Sequence, residues 1–275
     1  MSSLIRGYWP SFRMGSRSGV NRFWSAGFSA LMIFSAQAAM AQTNLITNGS
    51  FAITGGSQSY QFGTYNGYTP SGSAAGESLA GWASTSFGFV FTPTSTVAVG
   101  TFGNLSLYSA TNTPGNSFNN ASPTGGNFIA EDSDFGTFPI TQTVNGLVLG
   151  KSYTLGFFWA GAQQTGFSGV TTDQWQVTLG NSTQSTAVVT DPNHGFTGWM
   201  YQTFNFVATS TSEQLSFLAV GTPSGSVPPF ALLTGVSLVA TPEPASAALM
   251  FVGIAGLIGL SWRRRASVQR DRLAA

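Results

Sequence analysis

From Gln42 to Thr241, apolar and polar residues alternate in short runs broken by Gly, Pro and Asn. Side chains alternate across a strand, so this pattern predicts β-strands and no long helix. The run from Ser152, SYTLGFFWAG, puts Tyr153, Leu155, Phe157 and Trp159 on one face. QWQVTLG aligns Trp175, Val177 and Leu179. WMYQTFNFVA separates Met200, Phe204 and Phe206 from Trp199, Tyr201 and Thr203. In EQLSFLAVG both faces are apolar, Leu215, Phe217 and Ala219 against Leu218 and Val220, which predicts a central strand covered on both sides. FALLTGVSLVA closes the series with Leu232, Val236 and Leu238. Earlier candidates are Leu45–Phe51, Phe87–Phe91, Thr96–Thr101, Asn104–Tyr108, Asn127–Ala130 and Ile140–Val144. About eleven strands suit two packed sheets. Residues 52–86 and 110–126 lack the alternation and read as long surface loops.

Both ends break this pattern. Arg6, Arg13, Arg17 and Arg22 precede a short apolar core, Ala26 to Ala36, and the small residues Ala39 and Ala41. This predicts a signal peptide over residues 1–41, cleaved after Ala41. Ala245 to Trp262 holds 18 residues without a charge. As a helix it measures about 27 Å, close to the hydrocarbon thickness of about 30 Å. Arg263, Arg264 and Arg265 follow directly, placing the C-terminus in the cytoplasm. The domain reading is thus 1–41, 42–241 and 242–275, with a transmembrane helix over about residues 245–262.

Charge sharpens the division. The net +1 of the chain averages basic ends with a middle whose one base, Lys151, faces seven acids. That middle cannot neutralise phosphates, which excludes nucleic acid as a partner. No Cys is present, so disulfides, thiol nucleophiles and thiolate metal sites are excluded. The core must supply the stability.

Pro242, Glu243 and Pro244, then Ala245-Ser246, the apolar span and Arg263–Arg265 resemble the PEP-CTERM sorting signal of Gram-negative bacteria. The resemblance implies recognition by an exosortase, a membrane thiol transpeptidase that cleaves near Pro-Glu-Pro, and an association with exopolysaccharide and biofilm. It implies a chain held in the membrane by its C-terminal helix until processed, then placed at the cell surface or outside the cell. NLITNGSF at Asn44–Phe51, Gly81-Trp82, and ALLTGVSL at Ala231–Leu238 resemble galactose-binding-like jelly-roll domains of carbohydrate-binding modules. That resemblance implies an all-β jelly-roll sandwich of two antiparallel sheets, its first and last strands adjacent. The acids such domains often place after the Phe and before the closing Gly-Val are Ala52 and Thr234 here.

The candidate chemistry is sparse. His194 is the single histidine and no Gly-x-Ser-x-Gly elbow accompanies it, so no Ser-His-Asp triad is expected. Glu131, Asp132 and Asp134 are close enough in sequence to share one Ca²⁺. No glycosidase motif surrounds any acid, and the expectation is a non-enzyme. Sugar binding asks for exposed aromatic faces beside amides and carboxylates. The candidates are Trp82, Trp199, Tyr201, Tyr65 and Gln163, with Trp159 and Trp175 expected in the core. Tyr60 and Tyr68 accompany Tyr65 as loop tyrosines. The reading is a non-catalytic glycan-binding module. A structural matrix or adhesion protein is the alternative, and a glycoside hydrolase the remote one.

Overall fold

The computed structural model describes residues 42–63, 78–135, 138–242 and Gly253. The signal peptide, Tyr65, Tyr68, Glu243, Pro244 and Arg263–Arg265 lie outside the described residues, as does the apolar segment apart from Gly253. Among the described residues no helix is long and apolar enough to cross a membrane.

The described chain is all β. Its strands are β1 Ile53–Thr54, β2 Tyr60–Phe62, β3 Ser78–Leu79, β4 Gly88–Phe91 and β5 Val97–Ala98. Next come β6 Leu105–Ser106, β7 Phe128–Asp132, β8 Ile140–Asn145, β9 Ser152–Gln163 and β10 Thr171–Leu179. Last are β11 Ser182–Ser185, β12 Val189–Asp191, β13 Met200–Val207, β14 Ser212–Thr222 and β15 Pro229–Ala240. The larger sheet runs β13-β9-β15-β7-β4-β2, and the smaller runs β11-β10-β14-β8 with β12 also on β10. All strand pairings in these two sheets are antiparallel.

Strand order explains the sandwich. β8, β10 and β14 lie in the smaller sheet, and β9, β13 and β15 in the larger. The chain therefore passes from one sheet to the other at almost every long connection, which is jelly-roll winding. One core lies between the sheets. β9 contributes Tyr153, Leu155, Phe157 and Trp159, and β10 answers with Trp175, Val177 and Leu179. These are the faces that the alternation predicts. The Trp175 indole N–H donates to the Leu232 carbonyl at 3.1 Å, so its polar atom is satisfied inside the core.

A second core covers the outer face of the larger sheet. Phe89, Phe91, Phe128, Phe230 and Leu232 pack there under Leu105, Leu107 and Phe118. Residues 110–126, expected as a surface loop, instead bury Phe118 and Asn120. Side-chain amides build this segment: Asn112 accepts from the Ser109 N–H and Asn116 from the Phe118 N–H. Such local bonds hold a chain with no alternation to reveal it.

Three further expectations change, one for a loop and two for strands. Residues 52–86 include the fully buried β2. Leu45–Phe51 is no regular strand; it runs beside β15 through Leu45 N–H to Leu238 O and Val236 N–H to Gly49 O, at 2.9 and 3.0 Å. The opening and closing segments are still adjacent. β14 is central, between β10 and β8, yet covered on one side only, since Val220 is exposed.

Candidate functional site

The loops at one end of the sandwich gather aromatics, Phe135 and Phe167 exposed and Phe87 half-buried against the second core. Phe87 precedes β4, Phe135 follows β7, and Phe167 sits on the turn between β9 and β10. Together with Asp132, Asp134 and Gln164 they line an open cleft of ≈ 250 Å³. Phe87 and Phe135 meet edge to face with centroids 5.2 Å apart, and Phe102 extends the row 6.1 Å from Phe87. Phe135 is 46% exposed and Phe167 38%, so each offers a ring face to solvent. Phe167 is fixed by its carbonyl, which accepts from the Tyr108 hydroxyl at 3.0 Å.

The carboxylates shape this cleft. Asp132 Oδ1 accepts from the Asp134 and Phe135 N–H groups, both at 2.9 Å, which sets the turn presenting Phe135. Asp134 Oδ2 accepts from the Gly225 N–H and ties in the opposite wall. Burial raises Asp132 to about 6, the two N–H bonds opposing the shift. Strand alternation turns Glu131 the other way, against Gly88, where a Cβ would collide with its carboxyl. Burial lifts Glu131 to about 8, with Ser86 offsetting part of the effect. The three acids expected to share Ca²⁺ are thus divided between two faces. Among the described residues no three His, Cys, Asp or Glu side chains gather to hold a metal ion.

Beneath the cleft lie two enclosed acids, Asp173 and Asp191, on the inner side of β10 and β12. Ser133 Oγ donates to Asp173 Oδ1 at 3.0 Å, while Asp173 Oδ2 and both Asp191 oxygens have no partner. Burial raises Asp191 to about 7 and Asp173 well above its ordinary range, with mutual repulsion adding to the latter. A glycosidase pair must flank a substrate from an open cleft. These two carboxyls are closed off from solvent.

His194 lies on a turn, as its sequence setting suggests. Its ring stacks on Tyr108 with centroids 4.2 Å apart, and Nε2 lies 2.7 Å from Ser168 Oγ. Among the described residues no carboxylate hydrogen-bonds this ring, so the pair lacks the acid that orients a triad.

The expected glycan contacts separate. Trp82 is a core residue, packed on Phe51 at 5.1 Å with its indole N–H given to the Asn48 carbonyl. Trp199 packs edge to face on Phe128 and donates to the Ala121 carbonyl, so it holds the second core's cover in place. Gln163 is fully buried; its amide donates to Gly169 O, Thr171 Oγ1 and Asp191 O and accepts from the His194 N–H. Trp82 and Gln163 are thus buried and Trp199 is half-buried. Tyr201 is 58% exposed on β13, 4.8 Å from Phe158 and directly over Gly156. Phe87, Phe135 and Phe167 were not singled out as contact residues by sequence, whereas Gln164 belongs to the Ala162–Gln164 stretch whose amides could supply hydrogen bonds. The available signal was a Phe beside turn-forming glycine, as in Phe135-Gly136 and Gly166-Phe167.

The far end of β15 leads through Ala240 and Thr241 into Pro242. Residues 240–265 match the PEP-CTERM protein-sorting motif. A protein with this motif is exported to the cell surface or beyond it. No curated protein sequence is similar to the chain. Among solved structures, this chain is similar to TmCBM61, described in complex with beta-1,4-galactotriose: 18% identity, 44% of this chain, 74% of that chain, TM-score 0.31. It is similar to the CBM22-1 xylan-binding domain of Paenibacillus barcinonensis Xyn10C at 11% identity, 75% and 99% coverage, and TM-score 0.32. MgGH51 a-L-arabinofuranosidase aligns at 17% identity over 74% of this chain and 27% of its own, TM-score 0.34. At these scores the function rests on the geometry of the site.

Proposed function

We propose that this exported chain is a non-catalytic glycan-binding protein whose contact site is the Phe87–Phe135–Phe167 cleft. One observation carries the reading: ring faces stand exposed around Asp134 and Gln164 in one open cleft. Sugar C–H surfaces stack on aromatic rings while carboxylates and amides take up hydroxyls. Tyr201, exposed on the edge strand β13, is a second contact surface. The cell's own exopolysaccharide is the proposed ligand. Residues 245–262 span the membrane with Arg263–Arg265 in the cytoplasm, until an exosortase cuts near Pro242–Pro244.

Calorimetric titration of the protein with that exopolysaccharide tests the reading. Saturable binding is expected, with Phe135→Ala weakening it by about tenfold or more, equivalent to about 1.4 kcal/mol. Unchanged near-ultraviolet circular dichroism would show that the variant is folded. No heat from the folded wild type would move the protein to the matrix or adhesion class, with proteins rather than glycans as partners.

A further inference from the structure

At the opposite end of the sandwich from the aromatic cleft, the turn before β9 carries two bare apolar side chains. Val148 is 57% exposed and Leu149 69%. The turn is held firmly. Lys151 N–H bonds to Val148 O at 3.0 Å, Gly150 N–H to Ala208 O at 2.8 Å, and Val148 N–H to the Tyr153 hydroxyl at 2.9 Å. Exposed Val207 ends the neighbouring strand β13, opposite Ser152. Lys151, the single base among residues 42–241, stands beside this apolar tip.

The same place is the exit of the chain. Thr241 N–H bonds to Ser152 O at 2.9 Å, and Pro242 lines one surface cleft with Val148, Leu149 and Lys151. Only Glu243 and Pro244 separate Pro242 from the apolar stretch that begins at Ala245. Three residue steps reach at most about 10 Å. If that stretch is embedded, this end of the sandwich stands on the lipid headgroups, whatever its tilt.

We propose that the Val148–Lys151 turn is a membrane foot: Val148 and Leu149 enter the headgroup–acyl boundary and Lys151 pairs with lipid phosphate. The occupant is the phospholipid surface at the point where the chain enters the bilayer. A rigid apolar tip with one flanking cation suits that interface, where apolar side chains are buried and a long basic side chain reaches phosphate. In water the same exposed pair has no such partner. The foot orients the domain with its aromatic cleft pointing away from the membrane. It rests on the proposed membrane placement of residues 245–262.

The absence of cysteine makes the test direct. Leu149→Cys, Ser226→Cys and Ile254→Cys are each labelled with an environment-sensitive nitrobenzoxadiazole dye. Each full chain is reconstituted into vesicles of phosphatidylethanolamine and phosphatidylglycerol. Ser226 precedes β15 and Thr241 follows it, so the two ends are about 36 Å apart along the strand. The expected result is a blue-shifted emission at positions 149 and 254 and aqueous emission at 226. Lys151→Glu should reduce the shift at 149 in these anionic vesicles. A buried signal at 254 with aqueous emission at 149 overturns the foot alone. Aqueous emission at 254 overturns the membrane placement, and the foot with it.

Discussion

Gly49 shows why a single residue type is required in the opening Asn-Gly of the domain. A Cβ there would land on the Val236 carbonyl, a backbone atom of β15 that cannot swing away. The same contact carries the Val236 N–H to Gly49 O bond. Gly49→Ala should therefore cost about 2 kcal/mol or more, read as a lowered urea midpoint with an unchanged slope. Trp175 makes the complementary case in the core. Trp175→Phe keeps an aromatic ring but removes the indole bond to the Leu232 carbonyl, costing about 1–3 kcal/mol in the same assay. At this scale the sequence was ambiguous for a physical reason. Tryptophan is large, apolar and polar-tipped, so core and contact tryptophans look alike. Trp82 and Trp199 proved to spend their N–H groups on backbone carbonyls, which no spacing rule reveals.

At the scale of elements, alternation marked the inward faces of β9, β10, β13 and β14, because one buried face imposes period two. It failed where coverage comes from elsewhere. The outer side chains of β14 are apolar at Leu218 and Val220, yet Leu218 is only half-buried and Val220 is exposed. Conversely, residues 110–126 read as loop and are packed, because Phe118 anchors them onto the larger sheet. Phe118→Ala should destabilise the protein by about 3–5 kcal/mol, as a core substitution would, and should free the backbone amides around it to exchange with deuterium. Exchange and stability at wild-type levels would place residues 110–126 back among surface loops.

For the whole molecule, the scarcity of bases has an energetic consequence. Glu131, Asp132, Asp173 and Asp191 are buried with raised pKa values. The folded protein therefore holds protons more tightly than the unfolded chain. Stability is full below the ordinary carboxylate range, near about 4, and is lost as pH rises through about 6 to 8. The melting temperature should be higher near about pH 5 than near about pH 9, and Asp191→Asn should flatten the profile. A profile that instead rises toward alkaline pH would mean that these carboxyls are charged and paired when folded.

The address of the protein was written in contiguous residues. Pro242–Pro244, the apolar stretch and the arginines act as a linear signal, so chain order alone identifies them. The all-β class and the inward faces were equally legible, since they follow from local periodicity. The aromatic cleft was not. Phe87, Phe135 and Phe167 come from three separated turns, and only the crossing of β4, β7 and β9 into one sheet end brings them together. The same winding enclosed Asp173 and Asp191 and placed Val148 and Leu149 beside the exit of the chain. Local residues set periodicity and signals; which separated loops meet depends on strand order, and that exists only in the folded sandwich.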